Sequence, residues 1–300
     1  MSRLIQMLML GMLPLVAGCT GLAGVSPGSG EAQLAERDGP YHIPKQIRYS
    51  YTLRNTTGQL LENAQFWTYA PVPQTSHQKV RKIKANLPYR STRDDLGNEM
   101  LHFELANIPP YGARVVSITV DLLVSGSPVG MSAGRADRFT RPEPHIESDD
   151  TRIVSLARSL SDTRPEAGAR KAYDWVAEHL FTEAYVAEDR GALYALQSKT
   201  GDCTEFSYLL TALYRAQQIP ARPIAGYVFS GNGIVKAVDY HNWTEFYADG
   251  AWQIADAQKR AFRDKQADYV AMRRIVSGAK NPFNTQRFSF AGAGLEVSMN

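Results

Sequence analysis

Cys203 lies where the sequence predicts the start of a helix, a position that can activate a thiol. It follows a Gly-Asp turn, and apolar residues recur after it at helical spacing. Asp202 can cap this helix, and Glu205 can complete a capping box. Unpaired N–H groups and the positive end of the helix dipole lower the pKa of a thiol there, so we predict an accessible thiolate. The alternative is a small buried hydrophobic residue, as free cysteines commonly are.

A second stretch, from Tyr240 to Asp256, has the pattern of a β-hairpin. Asp249-Gly250 is a strong signal for a two-residue turn. With that loop, His241 and Asp256 project from the same face as diagonal neighbours, and a hydrogen bond is within reach. A three-residue loop without a bulge would place the two side chains on opposite faces, so the inference depends on the register.

Together these residues have the chemistry of a catalytic triad. Cys203 would supply the nucleophile, and His241 would accept its proton and later protonate the leaving group. Asp256 would fix the imidazole tautomer and stabilise the imidazolium. Each residue alone is weak evidence, because strand histidines and strand-end aspartates are commonly structural. The combination predicts nucleophilic attack on an amide.

The stretch from about 165 to 260 resembles the transglutaminase-like superfamily in the order and spacing of its motifs. These are Gly201-Asp202-Cys203-Thr204-Glu205-Phe206-Ser207, Ile219-Pro220-Ala221-Arg222 followed by Gly226-Tyr227, His241-Asn242-Trp243, and Trp252-Gln253-Ile254-Ala255-Asp256-Ala257. The resemblance implies an α+β, papain-like core in which a Cys-bearing helix packs on an antiparallel sheet. It also implies that Cys203, His241 and Asp256 are the catalytic residues. The sequence departs from the family at Asn242, where Ala is common, and in a long loop over 231–240.

Other site residues follow less directly from the sequence. The backbone N–H of Cys203 is one natural oxyanion donor, and Gln197 is a candidate for the second. The alternative for Gln197 is a solvated residue. Trp243 and Trp252 are candidates for the cleft wall or for the sheet core. A zinc site built on the triad residues lacks a fourth ligand and a paired-cysteine motif, so we predict no metal and no cofactor.

The rest of the chain suggests a two-domain arrangement. Residues 41–125 alternate as short strands with turns between them, which predicts a small all-β sandwich. Residues 126–150 are rich in Gly, Ser, Pro and charge and are interpreted as a linker. Helix signals begin at Thr151, and we assign 151–300 to the catalytic domain.

The first residues resemble a bacterial lipoprotein signal. A short basic start and an apolar run end in Leu15-Val16-Ala17-Gly18-Cys19. The resemblance implies a signal peptide over 1–18, lipid on Cys19 and a flexible tether over 19–40. Because Thr20 follows, we expect the outer membrane, with the protein facing the periplasm. The alternative is an ordinary cleaved signal peptide in which Cys19 is incidental.

Composition and cysteine content narrow the functional classes. The net charge of +3 over 300 residues, without a basic run, gives no case for nucleic-acid binding. The chain has two cysteines. If Cys19 carries lipid, Cys203 is the sole thiol of the mature protein, and an oxidising compartment normally pairs or discards its cysteines. A free thiol kept there indicates a chemical role.

These observations predict a lipid-anchored periplasmic cysteine enzyme that acts on peptide or side-chain amides through a thioester. The acyl group would go to water, as in a peptidase or amidase, or to an amine, as in cross-linking. The resemblance favours hydrolysis. The competing prediction is a non-catalytic envelope module that binds a peptide or an envelope protein through its β-sandwich.

Overall fold

The computed structural model describes residues 39–134, 136–276, 283 and 286–300. The predicted signal peptide, Cys19 and nearly all of the tether lie outside these residues, and the predictions about them stand untested. None of the helices within the described ranges has the length and apolar character needed to span a bilayer.

Strands come first along the chain, then four α-helices and a further set of strands. The first strands are β1 (Ile43–Asn55), β2 (Leu61–Ala70), β3 (Gln78–Ala85), β4 (Arg90–Arg93), β5 (Glu99–Ile108) and β6 (Ala113–Val124). The middle elements are α1 (Thr151–Leu160), α2 (Pro165–His179), β7 (Phe181–Thr182), α3 (Gly191–Ser198), β8 (Thr200–Gly201) and α4 (Cys203–Ala216). The last strands are β9 (Ala221–Val228), β10 (Gly233–Ile234), β11 (Tyr240–Ala248), β12 (Ala251–Asp256), β13 (Ala261–Phe262), β14 (Tyr269–Arg274), β15 (Phe288–Ala291) and β16 (Leu295–Met299).

Two sheets of the N-terminal strands face each other across one core. β1, β6 and β3 lie in one sheet, and β2, β5 and β4 lie in the other. Alternate residues of β1 are buried, as expected for a strand with one face in a core. Tyr49 and Tyr51 of the first sheet share a hydrophobic cluster with Phe66 and Phe103 of the second. This is the predicted sandwich arrangement.

Strands from the C-terminal half also join the sandwich sheets. β15 pairs with β2 and β16 pairs with β1, both antiparallel, while β10 pairs with β1 in parallel. Leu295 of β16 is buried in the sandwich core. The sequence-based division assigned these strands to the catalytic domain over 151–300. Pairing between the two ends of a chain leaves no local signal, so sequence spacing could not reveal it.

The segment predicted as a linker over 126–150 packs against the helical half. The Phe139 ring lies edge-on to Trp252, with 5.3 Å between ring centroids. Ile146 is buried in the helical core. The Glu147 carboxylate accepts the backbone N–H groups of Ala192 and Leu193 in the first turn of α3. The segment therefore contributes to the fold of the helical half.

The third large sheet has the strand order β13-β12-β11-β9-β14, and α4 packs against it. Leu209 and Leu213 of α4 share a core cluster with Ala225 of β9 and Phe246 of β11. The Ser207 hydroxyl also donates to the backbone carbonyl of Trp243 at 3.0 Å. These contacts fix the start of α4 relative to the strand that carries His241.

The predicted hairpin register between β11 and β12 is confirmed. The turn residues are Asp249 and Gly250, both with positive φ. The pairs are Ala248 with Ala251, Tyr247 with Trp252, and Glu245 with Ile254.

Candidate active site

Cys203 is the first residue of α4, and the predicted capping box is confirmed. Asp202 Oδ1 accepts the backbone N–H of Thr204 at 2.7 Å, and Glu205 Oε2 accepts the backbone N–H of Asp202 at 3.1 Å. The Arg190 guanidinium holds the buried Glu205 carboxylate, with 3.0 Å between Nη2 and Oε2. This network fixes the backbone that carries the sulfur.

The direction of the Cys203 pKa shift is opposite to the sequence-based prediction. Burial raises the pKa of the thiol to about 12, and the neighbouring Asp202 carboxylate acts in the same direction. A hydrogen bond from the backbone of Asn242 lowers the pKa, but by less than burial raises it. Loss of hydration therefore determines the direction of the shift. A thiolate here needs a proton acceptor and a compensating positive charge beside it.

His241 and Asp256 lie within hydrogen-bonding distance, with 2.7 Å between Nε2 and Oδ2, and both side chains are buried. The Asp256 carboxylate has two further donors. The Tyr269 hydroxyl donates to Oδ2 and the Lys259 backbone N–H donates to Oδ1, each at 3.0 Å. Because Nε2 faces the carboxylate, Nδ1 is the ring nitrogen left to accept a proton. The catalytic role of the pair stays a prediction.

Cys203 and His241 line the same cleft, whose volume is about 550 Å³. One wall includes Asp189 and Tyr208, and the Tyr208 hydroxyl donates to Asp189 Oδ2 at 2.8 Å. No group of three or more Cys, His, Asp or Glu side chains in the described part of the chain is arranged to hold a metal ion.

Gln197 does not line this cleft, contrary to the suggestion that it is the second oxyanion donor. Its side chain is exposed on α3, whose buried residues include Ala192 and Ala195. Helical spacing gave no information about which face of this short helix packs inward, so Gln197 must be removed from the candidate site.

Trp243 and Trp252 are core residues and do not form the cleft wall. Trp243 is 1% exposed and packs edge-on against Tyr269, with ring centroids 5.1 Å apart. Since the Tyr269 hydroxyl bonds to Asp256, Trp243 supports the His–Asp pair through the core. Trp252 is equally buried, and the Arg222 guanidinium lies 3.7 Å from its ring centroid.

Among the cleft residues that sequence reasoning missed are Tyr240, Arg273 and Arg287. Tyr240 is adjacent to His241 and was available from the motif itself. Arg273 is on β14, and Arg287 lies just before β15. No motif marks these arginines, because their position depends on how distant strands pair.

A helix that begins at a cysteine and packs on an antiparallel sheet with a His–Asp pair defines an α+β core of the papain-like type. Residues 154–257 match the family model described as the transglutaminase-like superfamily. The match confirms, over this part of the chain, the resemblance that the motifs predicted.

Solved structures are similar to this chain at low sequence identity. A candidate cysteine protease from Cytophaga hutchinsonii is 16% identical, with a TM-score of 0.56, and the match covers 86% of this chain and 92% of that one. The periplasmic domain of TgpA from Pseudomonas aeruginosa is 16% identical, with a TM-score of 0.36, and the match covers 79% and 94% of the two chains. No curated protein matches the sequence.

Proposed function

We propose that this protein is a cysteine enzyme that cleaves peptide or side-chain amides through a thioester on Cys203. The observation that carries the proposal is the hydrogen bond between His241 and Asp256 in a cleft that Cys203 also lines. The transglutaminase-like core supports an enzyme of this kind.

In the proposed reaction, proton transfer accompanies nucleophilic attack. Burial makes an isolated thiolate unfavourable, so the Cys203 proton passes to His241 Nδ1 as the sulfur bonds to the carbonyl carbon. The Asp256 carboxylate stabilises the imidazolium. The backbone N–H of Cys203 is the first candidate to donate to the oxyanion.

The second half of the proposed reaction returns the enzyme to its starting state. His241 gives its proton to the leaving amine, the carbon–nitrogen bond breaks and a thioester remains. His241 then removes a proton from water, the oxygen attacks the thioester, and the sulfur leaves and regains the proton. An amine in place of water would give transfer. We favour hydrolysis, because many bacterial members of the family that this chain resembles are thought to be hydrolases.

Alkylation of Cys203 tests the nucleophile and its base. We expect iodoacetamide to label the wild-type thiol at neutral pH, and His241→Ala to slow labelling about 100-fold or more. Without a base beside it, burial keeps the thiol protonated at neutral pH and leaves little thiolate to react. His42→Ala, which removes an exposed histidine of the sandwich, is the matched control. Equal labelling of both variants would refute the assigned base.

Mass spectrometry of envelope extracts treated with wild-type or Cys203→Ala protein identifies the reaction. New peptide termini indicate proteolysis, Gln-to-Glu changes indicate deamidation, and isopeptide bonds indicate transfer. Identical profiles would favour the alternative of a non-catalytic module, which binds a peptide or an envelope protein through the sandwich.

We also propose that the protein is an envelope lipoprotein that carries its lipid on Cys19. The support is the sequence from Leu15 to Cys19 and its resemblance to a lipoprotein signal. Mass spectrometry of the mature N-terminus should find a diacylglyceryl group on Cys19 in the outer-membrane fraction. An unmodified N-terminus elsewhere in the chain would indicate an ordinary cleaved signal peptide.

A further inference from the structure

Two guanidinium groups line the cleft beside the proposed triad. Arg273 is 6% exposed, and Arg287 is partly buried. Both belong to the cleft that contains Cys203 and His241. Neither group has a role in the proposed reaction, so their charge in this position needs another explanation.

Arg287 approaches Tyr240, the residue that precedes His241. The Arg287 guanidinium lies 4.8 Å from the centroid of the Tyr240 ring. Burial raises the pKa of the Tyr240 hydroxyl, whereas the charges of Arg273 and Arg287 act to lower it and that of Cys203 acts to raise it. Arg287 therefore places positive charge beside Tyr240 in the cleft that also contains Cys203.

Hydrogen bonds to backbone carbonyls hold both arginines. Arg273 Nη1 donates to the backbone carbonyl of Gln286 at 3.0 Å, and Arg287 Nη1 donates to that of Ala237 at 2.7 Å. These bonds orient the guanidinium groups, and because a carbonyl is neutral, the bond to Ala237 leaves Arg287 its positive charge. An oriented guanidinium is well suited to a carboxylate, which it binds through charge-assisted hydrogen bonds.

The two carboxylates that line the cleft have donors of their own. Asp202 accepts the backbone N–H groups of Thr204 and Val186. Asp189 accepts the Tyr208 hydroxyl. Each of these carboxylates therefore already accepts hydrogen bonds from neighbouring residues.

We propose that Arg287, which lines the same cleft as Arg273, binds a carboxylate of the substrate next to the amide that Cys203 attacks. The cleft then selects peptides that carry either an acidic side chain or a free C-terminal carboxylate at this position. The inference rests on the proposed function, because it uses the same nucleophile.

Two alkylating reagents test the charge of the site. Iodoacetate carries a carboxylate beside its reactive carbon, and iodoacetamide is its neutral counterpart. In both cases the sulfur displaces iodide. We expect Arg287→Gln to lower the ratio of the iodoacetate rate to the iodoacetamide rate about fivefold or more, and Arg287→Lys to restore most of it. Arg114→Gln removes an exposed charge from β6 and should keep the wild-type ratio.

Peptide binding gives a readout that needs no reactive thiol. Calorimetry on full-length Cys203→Ala protein compares Ac-Ala-Glu-Ala-NH₂, Ac-Ala-Gln-Ala-OH and the neutral Ac-Ala-Gln-Ala-NH₂. Tighter binding of the first peptide identifies an acidic side chain as the ligand, and tighter binding of the second identifies a terminal carboxylate. Arg287→Gln should abolish either preference.

The two experiments separate this inference from the proposed function. A wild-type thiol that does not react with iodoacetamide would count against the nucleophile, while calorimetry would still report on the anion site. Equal binding of the three peptides, or an unchanged rate ratio in Arg287→Gln, would overturn the anion site and leave the triad intact.

Discussion

At the scale of single residues, hydrogen bonds on both oxygens fix the position of the Asp256 carboxylate. Its two oxygens accept hydrogen bonds from the His241 ring, the Tyr269 hydroxyl and the Lys259 backbone. A carboxylate with three donors cannot easily rotate, and it fixes the ring that it faces. The orientation of His241 is therefore determined by the core, through Tyr269 and the tryptophan that packs on it.

Asp256→Asn should reduce both turnover and iodoacetamide labelling about 100-fold or more. An amide neither stabilises an imidazolium nor selects the tautomer with a free Nδ1. The measurement is the rate of Cys203 labelling against pH, together with turnover on a peptide identified from extracts.

Asp249→Asn is the matched control for this substitution. It changes the same group on the same hairpin, at an exposed turn position where Asp249 pairs with Arg263 at 2.8 Å. Asn tolerates the positive φ of that residue. If the two variants labelled at the same rate, the orienting role of Asp256 would be excluded.

At the scale of elements, the turn before α4 determines where the sulfur lies. β8 ends at Gly201, and a Cβ added there would lie 2.4 Å from Cβ of Glu205. Only a residue without a side chain allows the strand to pass so close to the first turn of the helix. The capping box and this close approach together hold Cys203 at the cleft.

Gly201→Ala should lower the free energy of unfolding by about 1–3 kcal/mol, because Glu205 must move and its bonds to Arg190 and Asp202 are disturbed. Urea denaturation measures the change, and labelling of Cys203 should slow in parallel. Gly126→Ala is the control, since its added Cβ would meet only Ile43 Cδ1, at 4.0 Å. If both variants lost a similar amount of unfolding free energy, the close approach at Gly201 would not explain the effect.

Sequence patterns predicted those parts of the site that depend on local geometry. Asp249-Gly250 determined the hairpin register, and the spacing of Asp202 and Glu205 determined the helix start. The predicted sign of the Cys203 pKa shift was wrong, because the shift is caused mainly by burial, which depends on the whole fold. The arginines of the cleft were missed for a similar reason, since they reach it through pairing of distant strands.

At the scale of the whole molecule, side chains of the sandwich bond to the edge of the sheet that carries His241 and Asp256. β14 is an edge strand, and its backbone has partners in two amide side chains. Gln78 accepts the N–H of Ala271 at 2.7 Å and donates to its carbonyl at 2.9 Å. Asn98 bonds both backbone groups of Arg274 in the same way. Because β14 also carries Arg273, the sandwich positions part of the cleft.

Lys45 is a second link between the sandwich and the sheet that carries His241 and Asp256. Its pKa predicts a pH dependence of stability. Its buried ammonium group on β1 donates to the Phe229 carbonyl, just after β9, at 2.7 Å. Burial lowers the pKa of Lys45 to about 8, from 10.5. Between these pH values the unfolded chain binds more protons at this residue than the folded chain does. The contribution of Lys45 to stability therefore rises with pH from about 8 to 10.5.

The measurable quantity is the difference in unfolding free energy between wild type and Lys45→Met. Above pH 8, the unfolding free energy of wild type should rise relative to that of Lys45→Met by up to about 1.4 kcal/mol per pH unit. Taking the difference removes the opposite trend from Cys203, whose raised pKa makes stability fall above pH 9. Lys84→Met removes the same charge from an exposed position on β3. Urea denaturation from pH 7 to 10 measures these free energies. If the difference from wild type stayed constant with pH for both variants, the prediction would be contradicted, because Lys45 would then titrate alike in the folded and unfolded chains.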